Sequence, residues 1–169
     1  MTNDEYDEAA AHWTSREAGA ARMPADELRA DIDAFLSSHN TCALACGSGD
    51  FVRCTPLEYA WRDGAFWIFS EGGLKFRALK ENKNVSLAVF EPYDGFGKLA
   101  SAQVTGVAEL VDPEAPEFAE AVAAKGLPAS ALPKLRGMLR LIRVRPTRID
   151  YLCSDLKSRG YDSRQWLEL

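Results

Sequence analysis

The sequence predicts a mainly-β domain, an antiparallel β-barrel with flanking helices. Three observations carry this. From Thr41 onward the apolar spacing changes from a helical period to a period of two. The strand-like runs are joined by short turns, Gly47-Ser48-Gly49-Asp50 and Arg62-Asp63-Gly64. Strands and helices do not alternate regularly, which argues against a doubly wound parallel sheet.

Taken in order, Asp4 to Arg22 is rich in Ala, Glu and Arg, with Tyr6, Ala10 and Trp13 at helical spacing. It reads as a short helix or arm on the body or on a partner subunit. Pro24 suits the start of a second helix, in which Leu28, Ile32, Phe35 and Leu36 form one apolar face ending near His39 and Asn40. Strands follow at Thr41–Cys46, Phe51–Trp61 and Ala65–Ser70, the last two joined by Asp63-Gly64 because glycine accepts positive φ cheaply. In the third strand Trp67 and Phe69 face one way and Phe66 and Ile68 the other, so both faces should be covered. A helix is predicted from Leu74 to Glu81, then a strand from Val85 to Glu91, again apolar on both faces. A loop with two aromatics spans Pro92–Gly97, and a long strand runs Lys98–Val111 with a bend or bulge at Gly106. Asp112-Pro113 opens a helix to about Lys125; Gly126–Gly137 is irregular; Met138–Tyr151 is a last strand interrupted at Pro146. Ser154–Leu169 is a polar tail.

The 169 residues make one domain: an N-terminal helical arm (1–39), a barrel with helical insertions (40–152) and a tail (153–169). A net charge of -5 argues against a nucleic-acid surface, though not against a local anion site. No apolar run has the length of a membrane span, and the acidic start lacks the basic and apolar regions of a secretory signal. The expected location is the cytoplasm, with no membrane partner, where Cys42, Cys46, Cys54 and Cys153 are thiols.

The segments that carry chemistry are Arg53-Cys54-Thr55-Pro56 and Ser70-Glu71-Gly72-Gly73-Leu74-Lys75-Phe76-Arg77. On a strand Arg53 and Thr55 project from one face. Ser70 stands where a helix N-cap would, Gly72-Gly73 bare their amides, and Lys75 falls in the first turn. Hydroxyls, free N–H groups and cations at a helix start make a phosphate site. The same pattern occurs on helices that bind nothing, so the local residues leave both readings open.

These segments, with Gln103-Val104-Thr105-Gly106-Val107-Ala108-Glu109 and Asn82-Lys83-Asn84-Val85-Ser86-Leu87, resemble the pyridoxamine 5'-phosphate oxidase-like flavin split barrels. The resemblance runs from Met23-Pro24 to Gly160-Tyr161-Asp162-Ser163-Arg164-Gln165. It implies a six-stranded Greek-key barrel, a homodimer and two FMN sites in the subunit interface. By that resemblance Arg53, Ser70 and Lys75 hold the FMN phosphate and ribityl chain. Thr55 and Pro56 line the isoalloxazine ring, and Gln103 lies on a strand reaching toward it. Gly72 and Gly73 stand where many relatives have a hydroxyl, which shifts phosphate binding toward the backbone. The tail lacks the tryptophan–arginine arrangement of true pyridoxamine phosphate oxidases, so that substrate is not implied. Related barrels bind deazaflavin or haem.

FMN needs cations and N–H donors at one end and an apolar slot at the other. Arg53, Lys75 and Arg77 can supply the first; Trp61, Trp67, Phe69 or the Tyr93–Phe96 loop the second. Other clusters read more plainly. His39, Cys42, Cys46 and Cys54 contain no C-x-x-C pair, so no metal site is expected and the thiols act as small hydrophobes. Arg136, Arg140, Arg143, Arg145 and Arg148 read as a solvated or ion-paired face, with a second anion site the minor alternative. Gly95-Phe96-Gly97 is no dinucleotide fingerprint. The expected function is an FMN-dependent oxidoreductase acting on an unidentified small substrate, with catalytic residues unknown. The alternatives are a non-catalytic flavin- or haem-binding protein, His39 or His12 being the candidate haem ligands, and an empty dimeric scaffold.

Overall fold

The computed structural model describes residues 1–169, the side chain of Trp13 excepted. Helices α1 (Asn3–Glu17) and α2 (Ala25–Ser38) precede strands β1 (Thr41–Ser48), β2 (Phe51–Glu58), β3 (Ala60–Arg62) and β4 (Ala65–Ser70). Then come α3 (Lys75–Glu81), β5 (Asn84–Phe90), β6 (Ala100–Val111), α4 (Pro116–Ala124), α5 (Leu132–Met138), β7 (Arg140–Cys153) and β8 (Arg164–Glu168). All paired strands are antiparallel, in the order β2-β1-β5-β6-β7-β4-β3, with β8 added beside β7.

The two ends of that order are one stretch of chain. Residues 51–58 pair with β1 and residues 60–62 with β4, with only Tyr59 between them. Counted as one strand, they make a six-stranded curled barrel, as the sequence predicts; β8 is an addition it did not predict. Tyr59 is buried at the crossing, its N–H donating to Asn40 O at 2.8 Å and its hydroxyl to Leu36 O at 2.7 Å.

Alternation decides what faces inward. Leu44, Leu87, Val104, Ile142, Val144 and Ile149 fill the interior, and α2 caps it with Leu28, Ile32, Phe35 and Leu36. Phe66 and Ile68 of β4 join this core. Trp67, with Phe69 packed alongside, points outward into a second cluster beneath α4, where Phe118 meets Phe69 edge-on at 5.5 Å. So β4 is covered on both faces, as predicted.

β5 is not. Val85, Leu87 and Val89 are buried, but Ser86, Ala88 and Phe90 look outward with nothing over them, and Phe90 is 61% exposed.

The hairpin at Asp63-Gly64 has positive φ at both residues, 53° and 68°, as a two-residue turn between Arg62 and Ala65 requires. At Gly106 the β6–β7 register shifts. A Cβ there would lie 2.6 Å from Arg145 O, so glycine is required by close approach. Pro146 sits within β7 at this shift and does not interrupt the strand. Residues 132–137, expected to be irregular, and Met138, expected to open the last strand, form α5. Among the described residues no helix is long and apolar enough to cross a membrane.

Candidate functional site

Strand β2 ends its hairpin with β1 at one rim of the barrel, and α3 packs on both strands there. Arg53 pairs across the ladder with Cys46, and Thr55 with Leu44, on the face that turns inward. Lys75 is the first residue of α3 and only 6% exposed. Burial pushes its ammonium below the ordinary lysine value; the Cys46 thiol opposes this, and the positive charge of Arg53 adds to it. The structure therefore brings Arg53 and Lys75 within electrostatic reach of each other beside Cys46.

Ser70 does not cap α3. The chain turns through Gly72 and Gly73 at φ of 142° and 106°, and the helix begins only at Lys75, after Leu74. Ser70 Oγ instead accepts the Gly72 N–H at 3.2 Å and donates to the Gly72 carbonyl at 3.1 Å. Lys75 Nζ donates to the same carbonyl at 2.5 Å. Ser70, Gly72 and Lys75 thus form one compact knot.

Among the described residues no carboxylate pairs with Arg53, Lys75 or Arg77; Arg77 lies 5.7 Å from the centre of the Phe51 ring. The basic stretch of α5 and β7 differs. Arg136 pairs with Glu114, Arg143 and Arg145 with Glu109, and Arg148 with Glu17, Asp150 and Glu168. Arg140 donates to Leu139 O at 3.1 Å, and the other four are ion-paired, while the α3 rim keeps uncompensated positive charge next to a buried ammonium. A dianionic phosphate fits such a rim on charge grounds.

Pro56 and Gln103 are elsewhere. Pro56 follows Thr55 and so faces outward, in a row with Ala43, Ala88, Gln103 and Asp150 across β2, β1, β5, β6 and β7. Three strand spacings, about 14 Å along the sheet, separate Pro56 from Gln103. The outer face between them carries Cys54, Ala43, Ala45, Ser86, Ala88 and Thr105, none of them charged. Gln103 opens onto a cavity of about 590 Å³ that also takes Ser101, Asp150, Trp166 and the end of α1 into its wall. Sequence reasoning missed this cavity, because β8 and α1, which complete it, come from opposite ends of the chain.

The aromatic candidates divide. Trp61 donates to Asp33 Oδ1 at 2.9 Å and packs on Phe66, while Trp67 and Phe69 serve the outer cluster. These three are packing residues, not walls of a ring slot. Only Tyr93 and Phe96 stand exposed, 69% and 83%. His39 is engaged through both ring nitrogens, Nδ1 with Phe35 O at 2.8 Å and Nε2 with Glu91 Oε1 at 3.0 Å. Among the described residues no group of His, Cys, Asp and Glu could hold a metal ion. The four cysteines are free, Cys42 and Cys46 buried.

The profile of the family described as pyridoxamine 5'-phosphate oxidase matches residues 28–153. Solved structures share the fold. A FAD-binding protein from Mesorhizobium loti is 20% identical, with a TM-score of 0.56 over 72% of this chain and 89% of that one. Protein Rv2991 from Mycobacterium tuberculosis is 21% identical, with a TM-score of 0.64 over 85% and 91%. HutZ, a haem storage protein from Vibrio cholerae, is 17% identical, with a TM-score of 0.57 over 69% and 87%. The sequence matches none of the curated proteins with which it was compared.

Proposed function

The chain belongs to the pyridoxamine 5'-phosphate oxidase family, and on that premise we propose that it binds FMN and acts as an oxidoreductase on a small substrate, as a cytoplasmic homodimer. One observation carries the proposal: a buried lysine and a neighbouring arginine stand at the α3 rim without a carboxylate between them. Lys75 and Arg53 would hold the phosphate, and the Ser70–Gly72 knot fixes the lysine's reach. Thr55, on the same face as Arg53, would line the isoalloxazine ring, and Pro56 turns to the outer face. Gln103 would be contributed across the interface by a second copy. The middle of the outer face, with Cys54, Ala43, Ala45, Ser86, Ala88 and Thr105, carries no charge and supports that second copy, since in a chain that is 27% charged such a patch suits burial against its like. When bound, FMN would supply the redox chemistry, so the protein need bring only binding, orientation and exclusion of water.

The absorbance spectrum of the purified protein, with identification of any chromophore it releases, tests this directly. FMN is expected, and Arg53→Ala and Lys75→Ala should each lower its retention at least tenfold, about 1.4 kcal/mol or more. Flavin content unchanged in both variants removes the phosphate assignment. Reduction of the bound flavin by NADH or NADPH, followed by reoxidation with turnover, separates an oxidoreductase from a carrier. A haem-binding role gains nothing from His39, whose two ring nitrogens are already committed to Phe35 and Glu91.

A further inference from the structure

We propose that the cavity beside Gln103 is the substrate pocket of this protein, and that it takes an uncharged, polar ring in preference to a phosphorylated or carboxylated compound. That its occupant is a substrate rests on the flavin reading above; the class of compound follows from the lining alone.

The floor is the outer face of three strands. Ser101 and Gln103 of β6 stand beside Leu152 and Asp150 of β7, which in turn stand beside Arg164 and Trp166 of β8. The corner before β8 and the end of α1 close the sides, and the space between them is about 590 Å³, enough for a compound of one or two rings. On the remaining side β5 places Phe90 next to Ser101 and Ala88 next to Gln103. The cavity therefore runs into the uncharged middle of the outer face, where a second copy would roof it.

The charged side chains that line it are already committed. Both carboxylate oxygens of Asp150 accept from Arg148, and Glu17 accepts from the same guanidinium at 3.0 Å. Asp162 Oδ2 accepts the Ala21 N–H at 2.9 Å. Arg16 and Arg164 are engaged as well. An anionic ligand would meet three carboxylates, and would reach Arg148 only by stranding the ones it holds. A cationic ligand would have to draw Asp150 or Glu17 away from Arg148. Either charge gives up its hydration for no free counter-charge, which is costly. The α3 rim is the reverse case, with cations that no carboxylate neutralises.

What the lining offers a ligand is neutral. Among the described residues nothing bonds the Gln103 carboxamide, the hydroxyls of Ser101 and Ser163 or the indole N–H of Trp166. A carboxamide and a hydroxyl each donate and accept, and an indole N–H donates. That set suits the N–H and C=O edge of a ring amide, or a carboxamide carried on a ring. Trp166 is held for this use, with the Arg22 guanidinium 3.3 Å from its ring centre and donating to its carbonyl.

The test titrates the full chain, labelled with nitrogen-15, and follows the indole N–H resonance of Trp166, identified by its loss in Trp166→Phe. Trp61 and Trp67, whose indoles donate to Asp33 and to Arg62 O, supply control resonances. The probes are nicotinamide against nicotinate, benzamide against benzoate and uracil against orotate; in each pair the second member puts a negative charge on the same ring. The neutral member is expected to shift the Trp166 resonance at about one tenth of the concentration its anion needs, with the controls still. Gln103→Leu, which keeps size and loses the hydrogen bonds, should raise the neutral midpoint at least fivefold. Equal midpoints within the pairs, or tighter anions, overturn the class of ligand, and a Trp166 resonance that answers none of the six probes overturns the pocket. An unchanged midpoint in Gln103→Leu overturns the part given to Gln103. These readouts need no flavin. A protein that purifies without FMN and takes none up, yet prefers the neutral probes, would sink the flavin reading and leave the pocket standing; a flavin-bearing protein whose Trp166 ignores all six would do the reverse.

Discussion

Lys75 bears a cost that a bound anion would relieve. Burial and the nearby Arg53 lower its proton affinity, so between the folded value and the ordinary 10.5 the unfolded chain holds more protons than the folded one. Stability in that window rises with pH on account of this group alone. Other residues act with the opposite sign: burial pushes the Cys42 thiol from 9.0 up to about 12 and raises the phenols of Tyr59 and Tyr151. They keep protons that the unfolded chain gives up, and their contribution is present below pH 9 and lost as pH climbs toward 12. The clean measurement is a difference. Lys75→Met should be more stable than the unliganded wild type near neutrality, and the gap in urea midpoint should close as pH approaches 10.5. With inorganic phosphate or FMN bound to the wild type, the neutral-pH gap should shrink. A gap independent of pH would show that Lys75 carries no uncompensated charge.

Gly106 shows the same interplay one level up. It permits the register shift that lets β6 and β7 stay paired from Ala100–Cys153 to Val111–Leu141. Gly106→Ala drives a Cβ against a backbone carbonyl, which neither strand can yield cheaply, and should cost about 1–3 kcal/mol in chemical unfolding. A loss below a few tenths would mean the strands slide apart freely there. Elements with strong local signals were legible in the sequence. Asp63-Gly64 announced its hairpin, Gly106 its bulge, and the four apolar positions of α2 their face. What escaped depends on distant partners. β8, five mostly polar residues, is a strand only because β7 offers it a ladder. Ser70 looked like a cap because sequence spacing cannot reveal that two glycines at positive φ delay the helix to Lys75. The apolar look of both sides of β5 concealed that its outer side is bare. Of the site, the residues themselves suggested the cations of the α3 rim; the roles of Pro56 and Gln103 came only through family resemblance.

For the whole molecule, the bare outer face is the feature that an assembly must answer. Ala88 sits near its centre, between Ala43 and Gln103. Ala88→Arg puts a charge where the proposed partner's uncharged surface would lie, and burying it unpaired is costly. Sedimentation should show a dimer for the wild type and a monomer for the variant, with FMN retention falling alongside. A wild type that sediments as a monomer at all concentrations would remove the shared site. The monomer's own fold should be untouched, because Ala88 is outside the core.

The Tyr59 crossing has one further consequence, for how the chain reaches this state. The β1–β2, β3–β4 and β5–β6 pairings each join segments close in sequence and can form early and separately. The β4–β7 ladder joins residues 70 to 78 positions apart, Phe66–Ser70 with Arg140–Val144, and is slow to find. Because residues 51–62 already belong to the first hairpin and the second, that late meeting zips the cylinder shut in one event. Few half-assembled forms should then persist, and refolding should follow a single slow phase that appears in tryptophan fluorescence as β7 arrives over Trp67.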